Sequence, residues 1–188
     1  MSTEATVGID GVILIKLKVF GDSRGSFYEA FRASWVDERR RWVQWNVSSS
    51  VANVVRGLHF HKLQTDYWLV PAGKIQVALV DLRHGSPTAR AAQCIVLDGA
   101  DPHGLSIPPG VLHGYRIIES AMVMYLVDVE YTGKDEYGVR WNDPALGLPA
   151  QWYGAPSPTL SPRDAGAPML ADLKIAPVDY AQSIGRGG

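Results

Sequence analysis

Arg56-Gly57-Leu58-His59-Phe60-His61, continuing through Gln64 and Asp66 toward Gly73, is the stretch from which the rest of this chain can be read. Its two histidines stand two residues apart in an apolar run, and along a strand that spacing points both imidazoles to one face. Two polar rings on an inward face are costly to bury unless something binds them, so the stretch reads as the floor of a pocket. A satisfied core or rim histidine is the plainer reading for either ring alone. The pairing, with Arg56 on one side and Asp66 on the other, favours a site. Residues 62–65 are short enough for a hairpin that returns Asp66 beside His61 on the neighbouring strand. A third histidine, His113, follows the tight turn Pro108-Pro109-Gly110.

On either side of this stretch short apolar runs alternate with turns. The runs are residues 12–20, 43–47, 54–61, 67–70, 75–82, 91–97, 105–107, 114–118 and 122–129. They are broken at Gly73, His84-Gly85-Ser86-Pro87, Asp98-Gly99, Pro108-Pro109-Gly110 and Thr132-Gly133. Many strands with close turns and no intervening helices predict an all-β sandwich or barrel, with a jelly roll as the natural candidate. Ser34 followed by Asp37 makes a capping-box-like start for one short N-terminal helix through Arg41. After Trp141, the prolines at 144, 149, 156, 158, 162 and 168 forbid long strands or helices. That segment is expected to wrap the barrel irregularly, held by Leu146, Leu148, Trp152 and Leu160. Residues 1–188 thus read as one domain with a core at about 10–173 and a peripheral tail, disordered from Gln182 onward.

Composition narrows the classes of function. With 188 residues, 46% hydrophobic and 20% charged, the chain is long enough to bury a sizeable core. A formal net charge of -1, with no basic block beyond Arg39-Arg40-Arg41, lacks the electrostatic footprint of a nucleic-acid or membrane-surface protein. That short basic run reads as a solvated helix face. The single cysteine, Cys94, sits in an apolar run, has no intrachain partner and reads as a packing residue in a reducing compartment. The first ten residues lack the basic start and apolar centre of a secretion signal, and no apolar stretch reaches membrane-span length, so a cytoplasmic location is expected.

Which polar groups share the space above His59 and His61 decides the chemistry. Imidazole takes and returns protons near neutral pH, and a carboxylate on its far nitrogen fixes the tautomer. Asp164 can be that carboxylate if the tail folds back, and Tyr125, on the 122–129 strand, can donate a proton from the opposite wall. Arg24 and Arg56 are fork donors suited to phosphate oxygens. Phe27, Tyr131 and Trp141 can stack on a nucleobase, although any one of them alone is more often core.

A set of motifs then falls in a familiar order: Asp22-Ser23-Arg24-Gly25-Ser26-Phe27-Tyr28-Glu29, Asn46-Val47-Ser48, Val55-Arg56-Gly57-Leu58-His59-Phe60, Val80-Asp81-Leu82-Arg83-His84-Gly85-Ser86-Pro87-Thr88, Ile107-Pro108-Pro109-Gly110 with His113-Gly114, and Leu160-Ser161 with Asp164. Over roughly residues 10–173 the chain resembles the dTDP-4-dehydrorhamnose 3,5-epimerase family of the cupin superfamily. The resemblance implies a cupin-type jelly-roll barrel, a homodimer with exchanged strands, and cofactor-free action on a nucleotide-linked 4-keto-6-deoxy sugar. It implies His59 as base, Asp164 as its carboxylate partner and Tyr125 as the opposing acid. Arg24, Phe27, Glu29, Gln44, Asn46, Arg56, His113 and Tyr131 would bind substrate.

One position departs from that pattern. The family normally carries a lysine in the strand after the histidine motif, placed to meet a developing enolate oxygen, and here the matching residue is Asp66 after a shortened loop. Lys62 could compensate from the loop. Alternatively His59, His61, Asp66 and His113, which resemble the metal-binding pattern of other cupins, would hold one divalent transition metal that replaces the lysine. A nucleotide-sugar ketoisomerase and a catalytically silent sugar-binding relative are the remaining alternatives.

Overall fold

Alternating and β-branched apolar runs form eleven strands in the computed structural model, which describes residues 3–154 and 157–184, the first four by backbone alone. They are β1 (Thr3–Thr6), β2 (Ile13–Lys16), β3 (Val19–Asp22), β4 (Gly25–Tyr28), β5 (Gln44–Ser50), β6 (Val55–Phe60), β7 (Asp66–Asp81), β8 (Ala92–Asp98), β9 (His103–Ile107), β10 (Val111–Val127) and β11 (Tyr137–Gly138). The expected all-β barrel is present, but β7 and β10 each run through a break that the sequence suggested.

The reason lies at Gly73, which does not turn the chain back. Its φ is +79°, and a Cβ there would stand 2.1 Å from the Ser120 carbonyl oxygen and 2.6 Å from Ala121 Cα. Only glycine fits so close an approach at positive φ. Opposite it, the antiparallel register of β10 on β7 shifts between Ile117 and Glu119, between Glu119 and Met122, and between Met122 and Met124. Such irregularities bend a strand without ending it.

Nine of the strands form one continuous sheet, and the bend in β7 and β10 folds it into two facing sheets that share these two strands. Residues 74–80 of β7 pair with β8, and 111–117 of β10 pair with β6, which in turn carries β11. Residues 66–69 and 122–127 continue into a layer with β9, β2, β1 and β5. The layers pack face to face, Trp68 of the second touching the rings of His113 and Tyr115 of the first at 5.2 and 5.3 Å. This is a jelly-roll architecture.

Because β10 lies between β6 and β7, residues 61–65 are not the tight hairpin expected from their length but a crossing from one sheet to the other. Side chains pin that crossing. The Asp135 carboxylate accepts from the Lys62 and Leu63 N–H groups at 2.9 Å, and Asp128 accepts from Thr65 N–H at 2.7 Å while pairing with Arg40 at 2.6 Å. Arg40, read as part of a solvated face, is thus a buried brace.

Two further expectations change. The N-terminal helix reduces to a single 3-10 turn, Ala33–Trp35. Asp37 accepts from the Arg39 N–H and side chain instead of capping a helix, and the nearby aromatics are drawn into a cluster in which Phe31 meets Trp42 and Tyr67 at 5.2 and 4.9 Å. Tertiary burial here outweighs a weak local helix preference. The expected disorder from Gln182 does not hold for residues 182–184, because α2 (Tyr180–Ile184) docks with Ser183 buried after a buried Val178; residues 185–188 lie outside the described residues. The proline-rich wrap behaves as expected, with Leu146, Leu148 and Trp152 buried against β6. Cys94 is partly buried, and burial pushes its thiol up to about 11, which fits a packing role.

The Asp81-Leu82-Arg83 motif proves structural. Asp81 and Arg83 are fully buried, and one carboxylate accepts from Arg83 Nε and Nη2 at 2.8 Å, Ser86 Oγ at 2.6 Å and Thr88 Oγ1 at 2.7 Å. Burial raises the Asp81 carboxyl, but these donors outweigh it and hold its pKa below the ordinary 3.8. A carboxyl lowered on folding stabilises above its unfolded pKa and loses that contribution as pH falls through the folded value. Asp81→Asn leaves the Arg83 charge buried without its counterion, so about 3–5 kcal/mol of stability should be lost near pH 7. Urea denaturation checks this, and the difference from wild type should shrink below about pH 4.

Candidate active site

Between the two sheets lies a cavity of about 730 Å³, a size typical of small-molecule sites. His59, near the end of β6, opens into it. The strand places His59 directly across from His113 on β10, with Gly138 of β11 on its other side, so its backbone is paired on both edges. Directly opposed residues share a face, and both rings line the cavity.

The tail folds back as the carboxylate role of Asp164 requires. Val55 N–H donates to the Thr159 carbonyl at 3.0 Å, which brings the wrap alongside β6. The chain then enters α1 (Pro162–Ala165), where Ser161 caps the Asp164 N–H and Pro162 takes the first position, a combination that favours a helical turn. Asp164 Oδ1 lies 2.7 Å from His59 Nε2, and its Oδ2 accepts from Gly57 N–H at 3.4 Å. Burial raises the Asp164 carboxyl, but the His59 contact chiefly overcomes this and keeps its pKa below the ordinary value. Ionised, it holds a proton on Nε2 and leaves the Nδ1 lone pair as the basic nitrogen.

Two residues beside this pair carried no sequence signal. Glu136 Oε1 is 3.4 Å from His59 Nδ1, and Arg163 forms a two-pronged pair with Glu136 while its Nη2 lies 2.9 Å from His59 Nε2. Their types are ordinary for a surface, and only the adjacency of Arg163 to Asp164 hinted at a role.

The opposite wall is the second sheet. Tyr125 on β10 faces Trp68 of β7 on one side and Asn46 of β5 on the other, and all three line the cavity. Its hydroxyl has no hydrogen-bond partner among the described residues. Burial, then the charge of Asp66, raises its pKa above 10.0, so the phenol keeps its proton at neutral pH. Gln44 donates to Asn46 Oδ1 at 2.7 Å and accepts from Tyr131 N–H at 2.8 Å, which sets the rim. Arg56 also lines the cavity and reaches Ser50 Oγ at 3.0 Å.

Arg24, Phe27 and Glu29 do not join them within one chain. β3 and β4 pair only with each other, as a separate hairpin. There Arg24 is tied to Asp22, Glu29 to Arg32, and Phe27 stands 64% exposed beside Phe20. Trp141 is likewise elsewhere, packed on Trp152 at 6.5 Å.

The four-ligand set also divides. His59 is committed to Asp164, whereas His61, Asp66 and His113, all buried, stand close enough for ligand atoms within 4.8 Å of one another. Burial pushes His113 down to about 4 against the pull of Asp66, so its ring is neutral. Lys62 does not compensate for the missing lysine, because its ammonium lies over the Tyr137 ring, 5.4 Å from the centroid.

A jelly roll whose two facing sheets enclose basic and acidic groups around a small-molecule cavity is a cupin-type architecture. Residues 6–172 match the family model described as dTDP-4-dehydrorhamnose 3,5-epimerase, and the chain belongs to that family. Among curated relatives it is 34% identical over 170 residues to the Salmonella typhimurium dTDP-4-dehydrorhamnose 3,5-epimerase, covering 86% of this chain and 92% of that one. It is 38% identical over 159 residues to the Neisseria gonorrhoeae epimerase, covering 81% of this chain but 48% of that longer relative. Among solved structures, NovW, a 4-keto-6-deoxy sugar epimerase from Streptomyces spheroides, superposes with a TM-score of 0.87 at 32% identity, covering 97% and 96% of the two chains. The Legionella pneumophila epimerase RmlC, in complex with dTDP-4-keto-L-rhamnose, gives 0.84 at 32% identity, covering 92% and 95%. Among the described residues no helix is long and apolar enough to cross a membrane.

Proposed function

We propose that this chain inverts C3, C5 or both of a dTDP-linked 4-keto-6-deoxy sugar, with His59 as base, Asp164 as its partner and Tyr125 as acid. The C4 ketone acidifies the hydrogens on the flanking carbons. The base takes one of them, the C–H electron pair becomes the C=C bond of an enolate, and charge moves to O4. Tyr125 then delivers a proton to the opposite face of the same carbon. His59 loses its proton to solvent and Tyr125 regains one, so atoms and charge balance without any net redox change. The reaction as written calls for no organic cofactor.

The observation that carries this reading is the placement of the His59–Asp164 pair and Tyr125 on opposite sheets of one cavity. Gln44, Asn46, Arg56, His113 and Tyr131 surround the same space and are proposed to bind the substrate. Arg24, Phe27 and Glu29 fit the same task only in a homodimer. The β3–β4 hairpin exposes Val19, Phe20 and Phe27 by 45%, 50% and 64%, an apolar face suited to a second copy. In such a dimer the hairpin of one protomer would complete the cavity of its partner. A cytoplasmic setting fits a nucleotide-sugar substrate and the lone cysteine.

The test is incubation with dTDP-4-keto-6-deoxyglucose in deuterated water. Label at C3, C5 or both, with the inverted product, is the expected result. Absence of both label and product would overturn the reading.

A further inference from the structure

We infer that His61, Asp66 and His113 form a binding site for one divalent first-row transition metal ion, its free coordination positions facing the cavity. The argument is one of donors and acceptors. His61 Nδ1 lies 2.5 Å from the Asp135 carbonyl oxygen and His113 Nδ1 lies 2.9 Å from that of Val111. A carbonyl can only accept, so each Nδ1 carries a proton, and in the neutral ring that a metal binds each Nε2 presents a lone pair. Both lone pairs converge on one atom: Asp66 Oδ2 is 3.6 Å from His61 Nε2 and 4.0 Å from His113 Nε2.

Three electron-pair donors thus meet in a buried place. Among the described residues the side chains that donate hydrogen bonds to Asp66 are neutral: Gln64 Nε2 at 3.1 Å and Trp68 Nε1 at 3.3 Å. Among the described residues no lysine or arginine comes within 4.0 Å of its carboxylate. Three convergent acceptors without a cation repel one another, and a cation between them removes that repulsion.

The geometry suits a metal. Ligand distances of about 2.0–2.2 Å put neighbouring donor atoms about 3–3.5 Å apart, so the 3.6 and 4.0 Å gaps to Asp66 close with shifts of a few tenths of an ångström, and the full spread of up to 4.8 Å with side-chain shifts of about an ångström. Both imidazoles already have the backbone-carbonyl support that fixes metal-ligating histidines. Two imidazoles and one carboxylate with open positions suit Zn²⁺, Fe²⁺, Mn²⁺ or Co²⁺ and not a hard-oxygen site for Mg²⁺ or Ca²⁺. Each of the three lines the same cavity as His59 and Tyr125. Resting on the epimerase reading, the ion would accept O4 of the bound ketosugar and take up the charge that forms there, and His113 would contact the substrate through the ion.

The experiment uses the untagged full chain, stripped with chelator and titrated with Co²⁺. Expected are one Co²⁺ per chain with visible d–d absorption, a higher melting temperature, and at least tenfold weaker binding in Asp66→Asn. The same loss in His61→Gln guards against a folding defect in one variant. Addition of dTDP-4-keto-6-deoxyglucose to the cobalt form should shift the d–d bands. No stoichiometric Co²⁺ binding, or equal affinity in both variants, overturns the site. Unchanged bands on substrate addition overturn its contact with the sugar. Deuterium exchange without metal binding would sink this inference and spare the epimerase reading. Metal binding without exchange or product would do the reverse.

Discussion

His59→Asn should abolish deuterium incorporation at every carbon the wild-type enzyme exchanges, and lower kcat by about a hundredfold to ten-thousandfold. Asparagine is too short to keep the 2.7 Å contact that Nε2 makes with Asp164, but Gly57 N–H still donates to that carboxylate and the lost ring faces the cavity, so the fold should survive. What disappears is the lone pair that takes the proton. Among the described residues nothing else beside that nitrogen is placed to serve instead: burial raises the carboxyl of Glu136, 3.4 Å away, but its pairing with Arg163 and the nearby histidines together keep its pKa low. A weakly basic carboxylate is a poor acceptor for carbon-bound hydrogen. Circular dichroism and a melting curve establish that the variant is folded, and NMR of the sugar in deuterated water reads the exchange. Persistent exchange at the wild-type rate would remove His59 from the role of base.

Tyr125→Phe should separate two events that coincide in the wild type. Loss of one oxygen leaves the ring and its packing against the second sheet, and leaves the His59–Asp164 pair intact on the first. The base still forms the enolate and can return a solvent-derived deuteron to the face from which it took the hydrogen. Inverted product should fall by about a hundredfold to ten-thousandfold while label still enters substrate with its original configuration. Equal loss of exchange and inversion would mean that the phenol helps to form the enolate and does not merely quench it.

Much of the site was legible because its chemistry is carried by residues in short, ordered motifs. His59 and Asp164 meet although 105 positions separate them, and the serine, proline and aspartate around residues 161–164 contain the local reason, a capped helical turn. The strand breaks misled for a physical reason. Glycine and small polar residues mark both turns and bulges, and which one results depends on the pairing partner, here β10 against β7. Among the described residues the hairpin bearing Arg24, Phe27 and Glu29 pairs with no other strand, so these residues stand apart from the cavity to which the sequence reading assigned them. Glu136 and Arg163 were invisible because their role is set by a neighbour on another element. The departure at Asp66 was visible as an anomaly, and its two imidazole neighbours give it a physical meaning.

The bend shared by β7 and β10 also limits how this enzyme can change. His113 and Tyr125 ride on one continuous strand, so the span between the two walls of the cavity is not set by a loop that could lengthen freely. Adding a single residue near Glu119 would turn every later side chain over, sending the phenol outward and Leu126 in. Only paired insertions, or a compensating irregularity in β7, would preserve the facing groups. Substrate range in this scaffold is therefore expected to diversify at the rim, around Gln44 and Tyr131, while the spacing of the walls stays fixed.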